Sequence, residues 1–512
     1  MSHFSYFEYL DFDNEKFFTV VLLPEKSGKF PTIVIRSPYV NGFENTPEEE
    51  IANCYLSQYS AWLNRGYAIV LGHCRGQGKS TGAFIPYVHE HEDSRALRAW
   101  IRNQDFYNGE LFLYGGSYTA SLQYASAPFE DDIKGAVFEV QDTERYRLWY
   151  RNGQMRKGHA NWHFGLYKRK CGLNKNFSMN SFAELPLKNL SERVLGERAD
   201  DFEEMLEAPR PEHPFWSTRN GGGDAKNCTD NIPFPTLFTT GYNDFYVGGI
   251  FKMWQRMSEN SKKNCALLVS PYDHGDTFHA AESLSFENGK RAENFGPYPL
   301  DWFDNIRFGK PIHFERGVIT YYRLFENTWE TDFYKGEIRD ESFVLGDKDK
   351  KIIYNPATPP KFNPEGIFQD AFEGRNDIVT AFVKADKDIF VKGKMKAKLT
   401  VSSDCPDTSF YICISIRKPE GDYTLRHDIT SLSHQLGEYK ENDKVSLDFT
   451  FDEIAFLLKK GESLRIDIAP TDDNTYVSHT NNFGPYHLQK NASIATNTIY
   501  LNDSKLILPL EV

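Results

Sequence analysis

The run Leu111-Phe112-Leu113-Tyr114-Gly115-Gly116-Ser117-Tyr118-Thr119-Ala120-Ser121-Leu122 constrains the chain more than any other. An apolar stretch, short enough for one buried strand, ends at two glycines and a serine, and small and apolar residues then follow at helical spacing. This order predicts strand, sharp turn and helix. In such a turn the serine is forced into a strained backbone conformation, the glycines let the chain fold beneath it, and the hydroxyl points into the open. Ser117 is therefore a candidate nucleophile. The pattern Gly115-x-Ser117-x-Thr119 departs from G-x-S-x-G at its last position, so a plain strand-to-helix turn with a capping serine is the competing interpretation.

The rest of the first half fits an α/β sheet around that turn. Phe17 to Leu23, Pro31 to Arg36, Gly66 to Gly72 and Ile133 to Val140 read as strands, several of them continuous and β-branched as expected where both faces are buried. Tyr59 to Leu63 and Glu92 to Ile101 have helical character, and the alternation predicts a mostly parallel sheet covered on both sides. From about Asp142 the pattern changes. Tyr146 to Lys170 is rich in Arg, Trp, Tyr and His, Ser191 to Leu206 reads as one charged amphipathic helix, and Gly221-Gly222-Gly223 is a breaker. These features predict an inserted helical cap over 142–230. Strands resume at Pro235 to Gly241 and Ala266 to Ser270. Beyond about Pro311 the alternation has period two, in Val318 to Leu324, Lys396 to Val401, Phe410 to Ile416, Val445 to Thr450 and Ser463 to Ile468, which predicts a β-sandwich, a jelly roll, over 313–512. The hydrolase-type core thus spans 1–141 and 231–312. A chain of 512 residues is long enough for such a division.

A serine hydroxyl needs an imidazole to take its proton and a carboxylate to orient that imidazole. In a sheet of this type both follow the serine, acid first, each in a loop after a strand. Asp244 follows the strand ending at Gly241, and His274 follows the strand ending at Ser270, so these are the candidate acid and base. A tetrahedral oxyanion also needs donors. The backbone N–H of Tyr118 is one by position, and the phenol of Tyr39, where the strand Ile33 to Arg36 ends, is the other candidate; read alone, a tyrosine after proline serves packing equally well. In the cap, Trp149, Tyr150, Trp162 and His163 either line an acyl pocket or form the cap's own core. Tyr242, beside Asp244, joins the substrate-contact candidates.

Together, Arg36-Ser37-Pro38-Tyr39, Arg65-Gly66-Tyr67-Ala68, Arg75-Gly76-Gln77-Gly78-Lys79-Ser80-Thr81-Gly82, Gly115-Gly116-Ser117-Tyr118, Gly241-Tyr242-Asn243-Asp244 and Pro271-Tyr272-Asp273-His274-Gly275 resemble the cocaine esterase/X-prolyl dipeptidyl-peptidase (CocE/NonD) family. Leu300-Asp301-Trp302-Phe303-Asp304, Glu326-Asn327-Thr328-Trp329 and Arg375-Asn376-Asp377-Ile378 extend the resemblance over nearly the whole chain. It implies an α/β-hydrolase domain, a helical cap and a C-terminal jelly roll, with Ser117, Asp244 and His274 as triad and Tyr39 plus the Tyr118 amide as oxyanion hole. It implies, too, cleavage of esters or amides without a cofactor. Three departures stand out: Gly72-His73-Cys74 replaces a run that usually carries an aspartate, Thr119 and Ala120 replace a small residue and a glycine, and no long N-terminal helical domain precedes the core, which argues against X-prolyl activity. No carboxylate between Tyr118 and Gln123 is placed to grip a substrate ammonium, which disfavours amino-acid esters.

Other signals are weaker. Gly76-x-Gly78-Lys79-Ser80 suggests a phosphate loop, but Gly72 lies one residue too far back. His89-Glu90-His91-Glu92-Asp93 contains metal-ligand types, yet a solvated helix start is the expectation, and His274 with His279 near Asp276 is a conceivable zinc pair already claimed by the triad. No metal is therefore expected. A formal charge of −13 without a dense basic block argues against nucleic acid. The absence of a long apolar run and the seven scattered cysteines predict no membrane partner and a reducing, cytoplasmic setting; a homo-oligomer is compatible. The expected activity is a serine hydrolase acting on a small-molecule ester or amide. The alternatives are an X-prolyl-type peptidase or acylase, a transacylase that excludes water, and a decayed hydrolase serving as a glycan-binding module.

Overall fold

The computed structural model describes residues 3–40, 42–167, 179–223, 225–275, 286–362, 367–368, 375–419 and 421–512. The β-branched runs form the centre of a ten-stranded sheet. In spatial order its strands are Phe4–Phe12, Glu15–Leu23, Ala68–His73, Phe30–Ser37, Tyr107–Gly116, Ile133–Glu139, Thr236–Gly241, Ala266–Ser270, Ile319–Arg323 and Thr328–Thr331. Neighbours from Ala68–His73 to Ile319–Arg323 are parallel, and antiparallel pairs finish both edges. Alternate residues of one apolar run enter different cores. Val34, Val70, Leu111 and Leu113 face the helices Glu90–Arg102, Tyr118–Tyr124 and Val247–Arg256, while Ile33, Ile35, Ile69 and Phe112 face Glu48–Gln58 and Tyr298–Phe308. That is why these strands tolerate no polar alternation. The acidic stretch before Tyr59 is itself helical: Glu48, Glu49 and Glu50 occupy the first turn, where the helix dipole favours negative charge, and Ile51, Ala52 and Tyr55 are buried.

One expectation needs correction. Val318 to Leu324, read as the first sandwich strand, instead adds to the main sheet, with Leu267 opposite Ile319 and Val269 opposite Tyr321. The polar-looking positions of the run are buried too, because Tyr321 and Tyr322 carry enough apolar surface to pack on either face. The sandwich follows, with an eight-stranded and a five-stranded antiparallel sheet, and its strands Lys396–Ser403, Ser409–Lys418, Val445–Thr450 and Ser463–Ala469 fall where the period-two pattern placed them. The two β-systems touch directly: Leu324 N–H donates to Ala455 O, and Leu457 N–H to Leu324 O, each at 3.0 Å.

Between the strands ending at Glu139 and starting at Thr236 lie the helices Arg145–Trp149, Lys157–Leu166, Leu190–Leu195 and Asp200–Leu206. The single helix expected over Ser191 to Leu206 is two. Gly196 ends the first in a left-handed conformation (φ 76°). The Glu203 carboxylate then accepts the N–H groups of Asn189 (2.8 Å) and Ser191 (3.0 Å) and the Ser191 hydroxyl (2.6 Å), folding the second helix back on the first. Among the described residues no helix is long and apolar enough to cross a membrane.

Candidate active site

Ser117 sits between the strand Tyr107–Gly116 and the helix Tyr118–Tyr124 at φ 54°, ψ −132°, a conformation a side-chain-bearing residue adopts only under constraint. The constraint is visible. Ser117 N–H donates to Glu139 O of the adjacent strand (2.9 Å), and Ser117 O accepts from Ala120 and Ser121 in the helix (2.9 and 3.2 Å). Gly115 must be glycine, since a Cβ there would stand 2.5 Å from Thr119 O. Thr119, the departure from the usual motif, braces the turn: its hydroxyl accepts from Gly116 N–H (2.6 Å) and donates to Gly116 O (2.7 Å).

The loops after the strands Thr236–Gly241 and Ala266–Ser270 press together. A Cβ on Gly241 would lie 2.1 Å from Tyr272 O, and Tyr242 N–H and Asn243 N–H donate to Ser270 O and Tyr272 O (2.9 and 3.0 Å). This close approach places Asp244 beside His274. Asp244 Oδ1 is 3.0 Å from His274 Nδ1, and His274 Nε2 is 2.8 Å from Ser117 Oγ. The buried Asp244 carboxylate also accepts from Thr240 Oγ1 (3.0 Å) and Tyr246 N–H (3.2 Å), leaving it little freedom to rotate. The imidazole is stacked on Phe245 (4.8 Å between centroids) and Tyr246 (5.5 Å). The Tyr39 hydroxyl accepts the Trp162 indole N–H (3.2 Å) and lines the same cavity as Ser117 and Tyr118. The Tyr39 ring is partly exposed, but desolvation at the cavity raises the phenol's pKa further from neutrality, so it is protonated and able to donate.

A buried ion-pair network supports the turn from below. The Tyr118 side chain points inward: its hydroxyl donates to Glu90 Oε1 (2.8 Å) and accepts Tyr87 N–H (2.7 Å). Glu90 Oε2 pairs with Arg36 (2.8 Å), which also donates to Ser94 (2.8 Å), and Arg75 grips Asp93 at 2.7 and 3.2 Å. Burial raises the Glu90 carboxyl and the Arg36 guanidinium opposes that shift. The segment His89 to Asp93 is thus a helix start, as expected, but not a solvated one: Glu90 and Asp93 are buried because Arg36 and Arg75 reach them from the strand ends. The segment Gly76 to Ser80, already a poor fit to a phosphate loop, is followed by no helix before Glu90–Arg102, and Lys79 pairs with Glu48 (3.7 Å). His73, which replaces the usual aspartate run, is stacked on Phe43 and bonded to the Tyr55 hydroxyl (3.1 Å); burial pushes its pKa down to about 4, so the position is neutral.

Ser117, His274, Tyr39 and Tyr118 open on a cavity of about 640 Å³. Trp162 and Tyr242 line it, but Trp149 and Tyr150 do not. Trp149 packs on His159, His163 and Phe202, and the Tyr150 hydroxyl donates to Met205 O (3.2 Å), so both, with His163, belong to the cap's core. All three meet the helix Asp200–Leu206, whose contribution to the core the sequence did not reveal, through Phe202, Met205 and Asp201. His279 and Asp276, weighed above with His274 as zinc ligands and set aside, lie outside the described residues. Among the described residues no group of three or more His, Cys, Asp or Glu could hold a metal ion.

Sequence reasoning missed the opposite wall. Arg151 and Arg156 come from the start of the cap, and Thr424, Leu425, Arg426, His427, Asp452, Asn474 and Thr475 come from the sandwich. Its anchors are ionic and backbone contacts: Arg151 to Asp428 (2.7 Å), Arg147 to Asp452 (2.9 Å), Arg426 to Tyr242 O (2.9 Å) and Lys157 N–H to Thr475 O (2.9 Å). The arginine-rich composition after Tyr146 was the one available signal.

The family described as X-Pro dipeptidyl-peptidase (S15 family) matches residues 13–276, and the X-Pro dipeptidyl-peptidase C-terminal non-catalytic domain matches 354–505. A cocaine esterase from Rhodococcus sp. (strain MB1 Bresler) is 21% identical over 90% of this chain and 89% of its own length. Among solved structures, a selenomethionine-labelled alpha-amino acid ester hydrolase aligns over 99% of this chain and 97% of its own at 14% identity with a TM-score of 0.81. An aminopeptidase from a marine sediment archaeon, a Thaumarchaeota archaeon, aligns over 100% and 97% at 15% identity, again with a TM-score of 0.81. The first match covers more than half of the chain and the two domains succeed each other in the same order as the sheet and the sandwich; the protein is an α/β-hydrolase-fold hydrolase and belongs to the X-Pro dipeptidyl-peptidase (S15) family.

Proposed function

We propose that the protein is a serine hydrolase cleaving the ester or amide bond of a small molecule through an acyl-enzyme. The observation that carries this reading is the continuous relay from Asp244 through His274 to Ser117, at 3.0 and 2.8 Å, opening on a cavity large enough for a drug-sized ligand. Ser117 Oγ attacks the carbonyl carbon while His274 Nε2 takes its proton, and Asp244 accepts the Nδ1–H and stabilises the imidazolium. The negative oxygen that develops is held by the Tyr39 hydroxyl and the Tyr118 N–H, both from residues that line the cavity with Ser117. His274 returns the proton to the leaving group, and water, deprotonated by the same imidazole, clears the acyl group. The cavity argues against a free amino terminus as the recognised group, because its carboxylates among the described residues are Asp244, used in the relay, and Asp452, shared by Arg147 and Arg151. A peptidase acting on X-Pro dipeptides is therefore second to an esterase or acylase. The six described cysteines are free thiols, four of them buried, which favours a reducing compartment such as the cytoplasm.

The test is turnover of p-nitrophenyl acetate and labelling by a fluorophosphonate probe. Wild type is expected to do both and Ser117→Ala neither, with an unchanged thermal unfolding profile. Labelling that persists in Ser117→Ala rejects the assignment of the nucleophile, and the absence of labelling in wild type favours the decayed-hydrolase alternative.

A further inference from the structure

The wall facing Ser117 carries more positive than negative charge. Around it stand Arg147, Arg151, Arg156 and Arg426 against the carboxylates of Asp428 and Asp452. Arg151 is bound by both carboxylates, at 2.7 and 3.2 Å, and Arg147 by Asp452 at 2.9 Å. Arg426 spends its donors on backbone oxygens, those of Tyr242 (2.9 Å), Leu425 (2.7 Å) and Asp452 (3.0 Å), which satisfy its hydrogens without cancelling its charge. Arg156 is different. It lines the cavity, its Nε is buried with no hydrogen-bond partner, and it has no ion pair with any described residue. The ring of Tyr476 lies 5.9 Å from its guanidinium carbon, centroid to carbon.

No carboxylate among the described residues pairs with Arg156, since Asp452 and Asp428 are held by Arg147 and Arg151. His159 and His427 line the same cavity, and burial together with the neighbouring guanidiniums holds both imidazoles neutral, His427 down to about 3. Arg156 also precedes the helix Lys157–Leu166 without capping it, and Gly158 and His159 of the first turn line the cavity, so the positive end of the helix adds to the same field. A guanidinium in a partly dry cavity with its Nε unbonded is costly unless an acceptor is supplied from outside. A carboxylate fits the planar fork of donors best.

Taking the hydrolase reading as its basis, we infer that the substrate carries a carboxylate or equivalent oxyanion, bound by Arg156 on the sandwich side of the cavity while its ester or amide carbonyl lies at Ser117. The anion belongs either to the acyl chain or to the leaving group, and two substrate pairs separate these. Glutaryl-p-nitroanilide against pentanoyl-p-nitroanilide places the charge on the acyl side; 4-acetoxybenzoate against its methyl ester places it on the leaving side. Wild type is expected to prefer the anionic member of one pair by at least about 10-fold in kcat/KM, through KM. Arg156→Gln is expected to lower that preference about 30-fold, the size of a lost charge-assisted hydrogen bond, and Arg156→Lys to restore part of it. Equal rates within both pairs, or a preference that survives in Arg156→Gln, overturn the inference while Ser117-dependent turnover of p-nitrophenyl acetate leaves the hydrolase reading standing. If that neutral ester is not turned over, the hydrolase reading fails. The anion site is then read by calorimetric titration of glutarate: binding by wild type that is lost in Arg156→Gln supports it, and no binding by wild type overturns it.

Discussion

On the elbow side of the cavity, the charges that brace the turn and form the relay have partners: Arg36 with Glu90, Arg75 with Asp93, Asp244 with His274. On the sandwich side, Arg156 has none among the described residues and Arg426 has only carbonyls. Both sides are built from buried ionisable groups, so burial alone does not distinguish them. The difference is one of task. A group that must hold geometry through a reaction is locked by an internal counter-charge, whereas a group that must recognise something from solution keeps its charge available. The elbow itself is a short-range connection, strand to turn to helix, while the sandwich side is assembled from segments near residues 151, 426, 452 and 475 that meet only in the folded chain.

The comparison can be broken or sharpened by substitution on the elbow side. The largest effect is expected from Ser117→Ala, a loss of about 10⁴-fold or more in kcat on p-nitrophenyl acetate with stability unchanged, because a single member of such a relay accounts for most of its chemistry. A residual rate within 10-fold of wild type would mean that the locked side does not carry the reaction. Next comes Arg36→Met, which leaves the buried Glu90 carboxylate without its counter-charge and should lower unfolding free energy by about 3–5 kcal/mol. Urea midpoints at constant m-value measure this, and a shift under about 1 kcal/mol would show that Tyr118 and solvent suffice. Tyr39→Phe removes one oxyanion donor and is expected to lower kcat by about 10²-fold while leaving KM within a few-fold, so an effect confined to KM would assign Tyr39 to binding instead.

The smallest expected effect concerns Asp142, buried close to Asp244, whose carboxyl burial raises to about 7. The native state therefore retains a proton that the unfolded chain releases near its ordinary value of 3.8. The stability so gained is complete below that value and is lost as pH climbs through 7. Asp142→Asn, which keeps the acceptor for Glu144 N–H and cannot ionise, should match wild type below about pH 4 and gain on it by up to about 1.4 kcal/mol per pH unit between there and pH 7. Parallel pH profiles for the two proteins would show that Asp142 titrates normally.

The elbow and its partners were legible because their signals are local. Glycines at 115 and 241, a serine after a buried strand, and Asp244 and His274 each just past a strand end are properties of a few consecutive residues. The central strands were legible for the same reason, since a continuous apolar run needs two covered faces whatever covers them. Legibility failed where an amphipathic residue fits two environments. Tyr321 and Tyr322 gave a period-two impression in a strand buried on both faces, and Trp149 and Tyr150 looked like pocket aromatics while packing inside the cap. Glu90 and Asp93 looked solvated because their counter-charges, Arg36 and Arg75, are remote in sequence.

By itself, then, the sequence determined the sheet, the strained turn at Ser117 and the order in which acid and histidine follow it, because backbone sterics and the burial of apolar runs act over a few neighbouring residues. The tertiary structure alone decided which charges are cancelled and which face the cavity. Electrostatic pairing depends on distance in space, and no pattern along the chain records that Asp452 lies against Arg147 and Arg151 while Arg156 is left facing open volume.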